Sequence, residues 1–180
     1  MTDPERGAQR VFFALWPDAA TAAQLHECAR LALRGPGSGR LVAAESLHLT
    51  LAFIGPADAA RYALLCEVAA RVRAAPVDVA LDRLGVFRHG GVLHAGMQTP
   101  SPTLVDLHAR LTAGLAAAGA PTDSARFTPH VTLARHTRVA GLPSAMPPIA
   151  WRADEFVLVE SQLRPSGARY RVRRRFPLAI

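Results

Sequence analysis

Two histidines in this chain head the same short motif. His48-Leu49-Thr50-Leu51 recurs as His130-Val131-Thr132-Leu133, and Ala follows each copy. An imidazole exchanges protons near neutral pH, and a hydroxyl can donate to a non-bridging phosphate oxygen. Two such pairs are therefore what a protein needs to split a phosphate ester without a metal. Side chains two apart on a β-strand share a face. On that rule His48 stands with Thr50 and His130 with Thr132, each pair on one reactive face, while Leu49, Leu51, Val131 and Leu133 turn to a core. Two copies of His-x-Thr-Leu have chance odds on the order of 10⁻³ in this composition, so the flanking chain must add to the reading. The spacing does not say which histidine is acid and which is base.

The elements that must carry these motifs are legible from apolar periodicity and turn residues. Arg10 to Trp16 reads as a strand closed by Pro17, and Asp18 or Thr21 can cap a helix that runs to about Arg34. Gly35 to Gly39 (GPGSG) reads as a loop, since it has neither the spacing nor the Lys of a phosphate-binding glycine loop. Leu47 to Ile54 is the first motif strand, ended by Gly55 and Pro56, and Asp58 to Ala74 is an amphipathic helix. Val77 to Phe87 and Val92 to Gln98 read as strands joined through Gly90-Gly91. Pro102 to Ala118 is a third helix, with Leu104, Leu107, Leu111 and Leu115 at helical spacing. Phe127 to His136 carries the second motif. Leu142 to Pro148 reads as a Pro-rich connector, and strands near Phe156 to Leu163 and Ala168 to Phe176 close the chain. Strands interleaved with three helices imply an α+β or α/β sandwich in which the motifs occupy comparable places.

At 180 residues and 50% hydrophobic, the chain is long enough for one domain, or two small intertwined lobes, with a substantial core. Cys28 and Cys66 form no C-x-x-C pair and lie in apolar helical stretches, as free buried thiols do, which points to a reducing cytoplasm. No apolar run is long enough to span a membrane, and Met1 to Arg10 is polar, so export and membrane anchoring are not expected. The net charge is +7, and all 21 basic residues are Arg. Guanidinium forks onto phosphate and stacks on bases, so this balance favours a polyanionic partner. The absence of Lys excludes a Walker-A lysine, a Schiff base and a lysyl-nucleotide intermediate.

Dispersed segments then agree with one family in order: RVFFALWPD, LHLTLAFIG, LDRLGVFR, FTPHVTLAR and FVLVESQLRPSGARYRV. Through them the chain resembles, nearly end to end, the RNA 2′,3′-cyclic phosphodiesterases, historically called 2′-5′ RNA ligases, of the two-histidine (2H) phosphoesterase superfamily. The resemblance implies residues 1–180 as a single α+β 2H domain of two intertwined, pseudo-symmetric lobes. Each lobe is an antiparallel sheet with outer helices, and the two enclose a central cleft. It implies metal-independent opening of RNA 2′,3′-cyclic phosphate ends to 2′-phosphates, with reverse 2′-5′ ligation as a side reaction. It assigns His48 as proton donor, His130 as proton acceptor and Thr50 and Thr132 as oxyanion donors, with Phe53 and Arg135 sandwiching the terminal base. No cofactor is implied, and the partner is an RNA end or related nucleotide met by a cytoplasmic monomer. Strict alternation puts Phe53 and Arg135 on the face opposite the histidines, so a strand end or bulge must re-aim them.

Other polar residues weigh less. His26 and His108 fall within helices as structural or exposed residues, and His89 and His94 flank the Gly90-Gly91 turn. Neither motif contains Asp, Glu or Cys, so a metal site is not expected. His136 shares strand parity with His130 but reads as a surface residue. Arg169, Arg171, Arg173 and Arg175 form one basic stripe on a strand face, a solvated edge or an RNA contact. The competing readings are a phosphodiesterase for small cyclic nucleotides, a non-catalytic RNA-binding module and a metal phosphohydrolase.

Overall fold

Period-2 runs become strands and period-3.6 runs become helices in the computed structural model, which describes residues 9–34, 38–120, 122, 126–138, 142, 144–164 and 167–179. In chain order the elements are β1 (Gln9–Leu15), α1 (Ala19–Ala32), β2 (Ser38–Leu41), a 3₁₀ turn (Ala44–Ser46), β3 (Leu49–Ala57) and α2 (Ala59–Arg71). There follow β4 (Val77–Phe87), β5 (Val92–Gly96), α3 (Pro102–Ala117), β6 (His130–Arg138), β7 (Ala145–Ala153), β8 (Glu155–Arg164) and β9 (Gly167–Pro177). Each helix starts on a polar cap. Asp18 accepts from the Thr21 amide at 2.7 Å, Asp58 from Arg61 at 2.8 Å and Ser101 from Leu104 at 3.3 Å. Such a cap typically contributes about 1 kcal/mol. Asp18, not Thr21, caps α1, and Thr21 is buried within it. On α3 the predicted stripe of Leu104, Leu107, Leu111 and Leu115 is fully buried.

The fold is α+β, with every named strand pair antiparallel. The strand order is β7-β4-β5-β6-β3-β1-β8-β9, with β2 added on β6. The two motif strands are neighbours, and their ladder is a single pair, Leu49 opposite Val131. One half of the sheet (β3, β1, β8, β9) and the other (β6, β5, β4, β7) thus join at the motifs. The chain crosses between them, since β7 closes the second half before β8 and β9 return to the first. The main core lies between sheet and helices and includes Phe13, Leu49, Leu65, Leu107 and Phe156. A smaller cluster of Phe12, Ala14, Val157 and Val159, joined by Trp16, Tyr170 and Val172, occupies the other face of the first half. Cys28 and Cys66 are free and partly buried. Among the described residues no helix is long and apolar enough to cross a membrane.

Three expectations are corrected. The glycine-rich stretch contributes Ser38 and Gly39 to β2, while its residues 35–37 lie outside the described residues. The Pro-rich connector is in large part β7, whose Met146-Pro147-Pro148-Ile149 segment runs at the edge of the sheet. Proline lacks an amide to donate, and an edge strand has a side where none is needed. The basic stripe on β9 does not keep to one face. Leu158 pairs with Arg174 and Val159 with Val172, leaving Arg173 as a bulge that puts Arg175 on the face opposite Arg169 and Arg171.

Candidate active site

Antiparallel pairing at Leu49 and Val131 determines what stands beside what. His48 falls next to Thr132, and Thr50 next to His130, so each hydroxyl neighbours the histidine of the other half. The isobutyl and isopropyl groups of Leu49, Leu51, Val131 and Leu133 are buried beneath them, as strand parity predicts. A cavity of about 190 Å³ joins the halves, lined among others by Arg40, Ser46, His48, Thr132, Arg135 and Tyr170.

Parity breaks once in each motif, at the same place. On β3, Ala14 pairs with Thr50 and Phe13 with Ala52, which leaves Leu51 as a bulge. On β6, His94 pairs with Thr132 and Leu93 with Ala134, which leaves Leu133 as a bulge. Each bulge inserts one residue and re-aims the side chains beyond it. Leu51 and Ala52 are both buried and Phe53 emerges exposed; Leu133 and Ala134 are both buried and Arg135 emerges exposed. An outside donor satisfies each bulge carbonyl: His108 Nδ1 of α3 donates to Leu51 at 3.0 Å, and the Val42 amide donates to Leu133 at 2.9 Å. His108 is thus a support of the motif strand, stacked on Phe127 with ring centroids 3.7 Å apart.

Phe53 and Arg135 reach the motif face but do not meet. Both lie downstream of the shared Leu49–Val131 pair on strands that run in opposite directions, so the pair separates them. Arg135 lines the cavity with His48, whereas Phe53 lies past Thr50 with the Arg10 guanidinium 5.7 Å from its ring centroid. Phe53 and Arg135 thus flank the crossing of the two motif strands from opposite sides.

Both motif histidines are held in one tautomer. A carbonyl only accepts, so His48 Nδ1 donates to Ser46 and His130 Nδ1 donates to Thr128, each at 2.7 Å, and Nε2 is left for chemistry in each ring. Their surroundings differ. His48 stacks on Trp16 at 5.1 Å and 9°, with Phe12 at 4.8 Å and the edge of Tyr170 at 4.9 Å. Burial among these rings pushes its pKa down to about 4, with the charges of Arg135 and His130 acting in the same direction and the Ser46 carbonyl against it. His130 meets Phe87 edge-on at 4.9 Å and His94 at 5.4 Å. His94 stacks on Phe87 at 3.9 Å and 12°, and burial holds its pKa below the usual histidine range.

Trp16, Tyr170, Phe87 and His94 were not among the site residues that the sequence singled out. His94 was visible as a histidine, but only pairing with Thr132 reveals its face. Tyr170 was hidden among the tail arginines. His136 is exposed at φ 54° where the β2–β6 register slips, away from the crossing of the two motifs. Among the described residues no three His, Cys, Asp or Glu side chains gather as a metal site. A second cavity, about 730 Å³, lies between the end of α2 and β9 and is lined by Arg73, Arg173, Arg174 and Arg175, but by no motif residue.

Two like imidazole-hydroxyl strands that cross at one point define a two-histidine site on an α+β sheet. Residues 16–164 match the family model of the 2′-5′ RNA ligase superfamily. The chain is 33% identical over 172 residues to the RNA 2′,3′-cyclic phosphodiesterase of Escherichia coli strain K12, covering 94% of this chain and 97% of that protein. It is similar in structure to E. coli LigT in apo form (TM-score 0.88) and to LigT complexed with 3′-AMP (TM-score 0.85). Both are 30% identical to it, with 97% of this chain and 99% of each of those chains covered. The chain belongs to the 2′-5′ RNA ligase superfamily.

Proposed function

We propose that this protein hydrolyses RNA ends bearing a 2′,3′-cyclic phosphate to 2′-phosphates, using its two histidines as acid and base and no metal. The observation that carries the proposal is the crossed pairing at Leu49–Val131, which sets two tautomerically fixed imidazoles and two hydroxyls around one point. The E. coli relative named an RNA 2′,3′-cyclic phosphodiesterase and the LigT structure with 3′-AMP support the same substrate class.

In this reading His130 Nε2 takes a proton from water as the water oxygen bonds to phosphorus. The bond from phosphorus to the 3′ oxygen breaks, and His48 Nε2 gives that oxygen a proton. A 3′-hydroxyl and a 2′-phosphate result. Thr50 and Thr132 donate to the non-bridging oxygens as their charge grows. His48, neutral at pH 7 in the free protein, gains its proton as the anionic phosphate enters, because a nearby negative charge favours the imidazolium. Arg135 contributes charge at the His48 end of the cavity, and Phe53 offers a ring to the terminal base at the other end. With a 5′-hydroxyl in place of water as the nucleophile, His130 takes the proton of that hydroxyl as its oxygen bonds to phosphorus, the bond to the 3′ oxygen breaks, and the ends are joined through a 2′-5′ linkage. The whole chain acts as one unit of two intertwined halves, a cytoplasmic monomer.

The test is incubation of the protein with an oligonucleotide 2′,3′-cyclic phosphate in the presence of a chelator, with assignment of the product phosphate. We expect a 2′-phosphate, and a loss of at least 10²-fold in kcat for His48→Ala and for His130→Ala. Full activity in either variant, or dependence on added metal, would overturn the mechanism.

A further inference from the structure

Of the seven phenylalanines, Phe53 and Phe87 are the ones left exposed among the described residues, at 48% and 37%. Both stand on the motif face, one in each half of the sheet. A large exposed ring forgoes burial, and so the face on which it is left exposed matters. Phe53 has a part in the proposed reaction. Phe87 does not, yet its ring is the more firmly held.

Three things hold it. His94 covers one face of Phe87 at 3.9 Å and 12°. Gly85 lies directly opposite His94 on β4, and a Cβ there would come within 2.8 Å of the imidazole Cε1 and Nε2, so the histidine is seated in the space that glycine leaves. The edge of His130 bounds the ring at 4.9 Å. Burial lowers the basicity of His94 and so favours its neutral form, in which it stacks as an aromatic ring. One row along the sheet, Arg83 pairs with Gly96, and Gly96 pairs with His130. Arg83 is exposed, shares the motif face, and has no ion pair among the described residues; between it and His130 stands a residue without a side chain. Two strand spacings set the reach from Arg83 to His130 at about 10 Å, of the order of one nucleotide step.

From this geometry we infer that Phe87, backed by His94, is a stacking platform for the base of the penultimate nucleotide, and that Arg83 takes the phosphate linking it to the terminal one. The substrate is then an RNA end of two or more nucleotides, not a cyclic mononucleotide. Stacking on an aromatic face is sequence-tolerant, since every base has a π-face, so the platform reads length and not sequence. This inference rests on the proposed reaction at the motif histidines and extends it to substrate length.

The test compares kcat/KM for uridine 2′,3′-cyclic monophosphate and for a trinucleotide ending in a 2′,3′-cyclic phosphate. Enzymes are the wild type, Phe87→Leu, Phe87→Trp and Arg83→Gln. Phe87 also packs on His130, so an effect on the chemistry falls on both substrates and cancels in their ratio. We expect the wild type to favour the trinucleotide on the order of tenfold. Phe87→Leu brings the ratio to within about threefold of unity, Phe87→Trp keeps it, and Arg83→Gln lowers it. A wild-type ratio near one, or a Phe87→Leu ratio equal to that of the wild type, overturns the platform and favours a small cyclic nucleotide as substrate. No turnover of either substrate by the wild type overturns the reaction instead. In that case binding of a 3′-phosphorylated trinucleotide still decides the inference: Phe87→Leu weakens it at least fivefold or the platform is wrong.

Discussion

At the scale of the residue, the two motif histidines are alike in tautomer and unlike in environment. His48 is enclosed by Trp16, Phe12 and Tyr170, while His130 meets only Phe87 and His94 among the described rings. Burial lowers the basicity of His48 in the free protein, so its part as proton donor depends on the anionic phosphate that enters beside it. The consequence is measurable. The unfolded imidazole titrates near 6.5 and the folded His48 at about 4, so between those values the unfolded chain binds more protons. Stability is complete above about pH 6.5 and is lost as the pH falls toward 4, by roughly 3 kcal/mol from this group alone at 1.36 kcal/mol per unit. His94 and His108, also lowered by burial, act in the same direction. Thermal melts between pH 7.5 and 4 should show the slope, and His48→Gln, which does not titrate, should flatten it. Histidine resonances titrated by NMR should place one imidazole near 4 in the free protein and raise it when inorganic phosphate is added. A His48 that titrates at its ordinary value in both states would sink the account of how it acquires its proton. The four motif residues were legible in the sequence because strand parity is a local rule. The depressed basicity of His48 was not, since it comes from Trp16, Phe12 and Tyr170, which lie apart from it in sequence.

At the scale of the element, the motif is one residue pair longer than its chemistry. His-x-Thr supplies the reacting groups, and the Leu-Ala after each copy is where the strand bulges and brings the residue five after the histidine, Phe53 or Arg135, to the same face. Alternation alone put both on the wrong face, and the need for a bulge was readable; which carbonyl it would free, and what would satisfy it, was not. That answer comes from α3. His108 read as one more helical histidine, because its acceptor, Leu51, lies 57 residues away in sequence. Its removal leaves the carbonyl of Leu51, a buried residue, without a donor and Phe127 without its stacking partner, at a cost of about 1–3 kcal/mol. We expect His108→Ala to lower Tm by roughly 5 °C at this chain length and to raise KM several-fold through Phe53, with kcat little changed. A Tm within 1 °C of the wild type would show that the bulge stands without it. The two strands hidden from the sequence failed for opposite reasons. In β2 glycine concealed a short strand, and in β7 two prolines did, both at positions where the sheet asks for little. Gly91 was legible, since its φ of +58° and a Cβ that would come within 2.8 Å of the Thr137 carbonyl oxygen both require glycine at the turn.

At the scale of the whole molecule, the excess of positive charge is unevenly neutralised. Arg30, Arg71 and Arg110 pair with acids on their own helices, Arg152 pairs with Asp78 and Asp154, Arg173 with Glu160 and Arg175 with Glu155. The acids of these pairs lie on the helices, on β4 and β8 and at Asp154 between β7 and β8, and the cavity holding His48 and Thr132 is lined by Arg135 with no carboxylate. The net +7 was plain from composition, but where it remains unpaired depends on which arginines the sheet places beside acids. The tail arginines that looked like a binding stripe are split by the Arg173 bulge, and two of them are paired. A polyanion is therefore drawn to the motif face, and its binding should weaken with salt in proportion to the phosphates it places there. Each contact with single-stranded nucleic acid contributes a slope of about 0.7 in log affinity against log salt. A trinucleotide cyclic phosphate making three contacts should lose up to about 20-fold in kcat/KM between 50 and 200 mM salt, and a cyclic mononucleotide making one contact only about threefold. Substituting Arg174 with Gln, on the far side of the molecule between α2 and β9, should leave both slopes unchanged. Substituting Arg83 should lower the trinucleotide slope by about one contact and spare the other. Equal slopes for the two substrates would mean that only the terminal phosphate is held, and that the charge of this protein serves some other purpose than aligning an RNA strand.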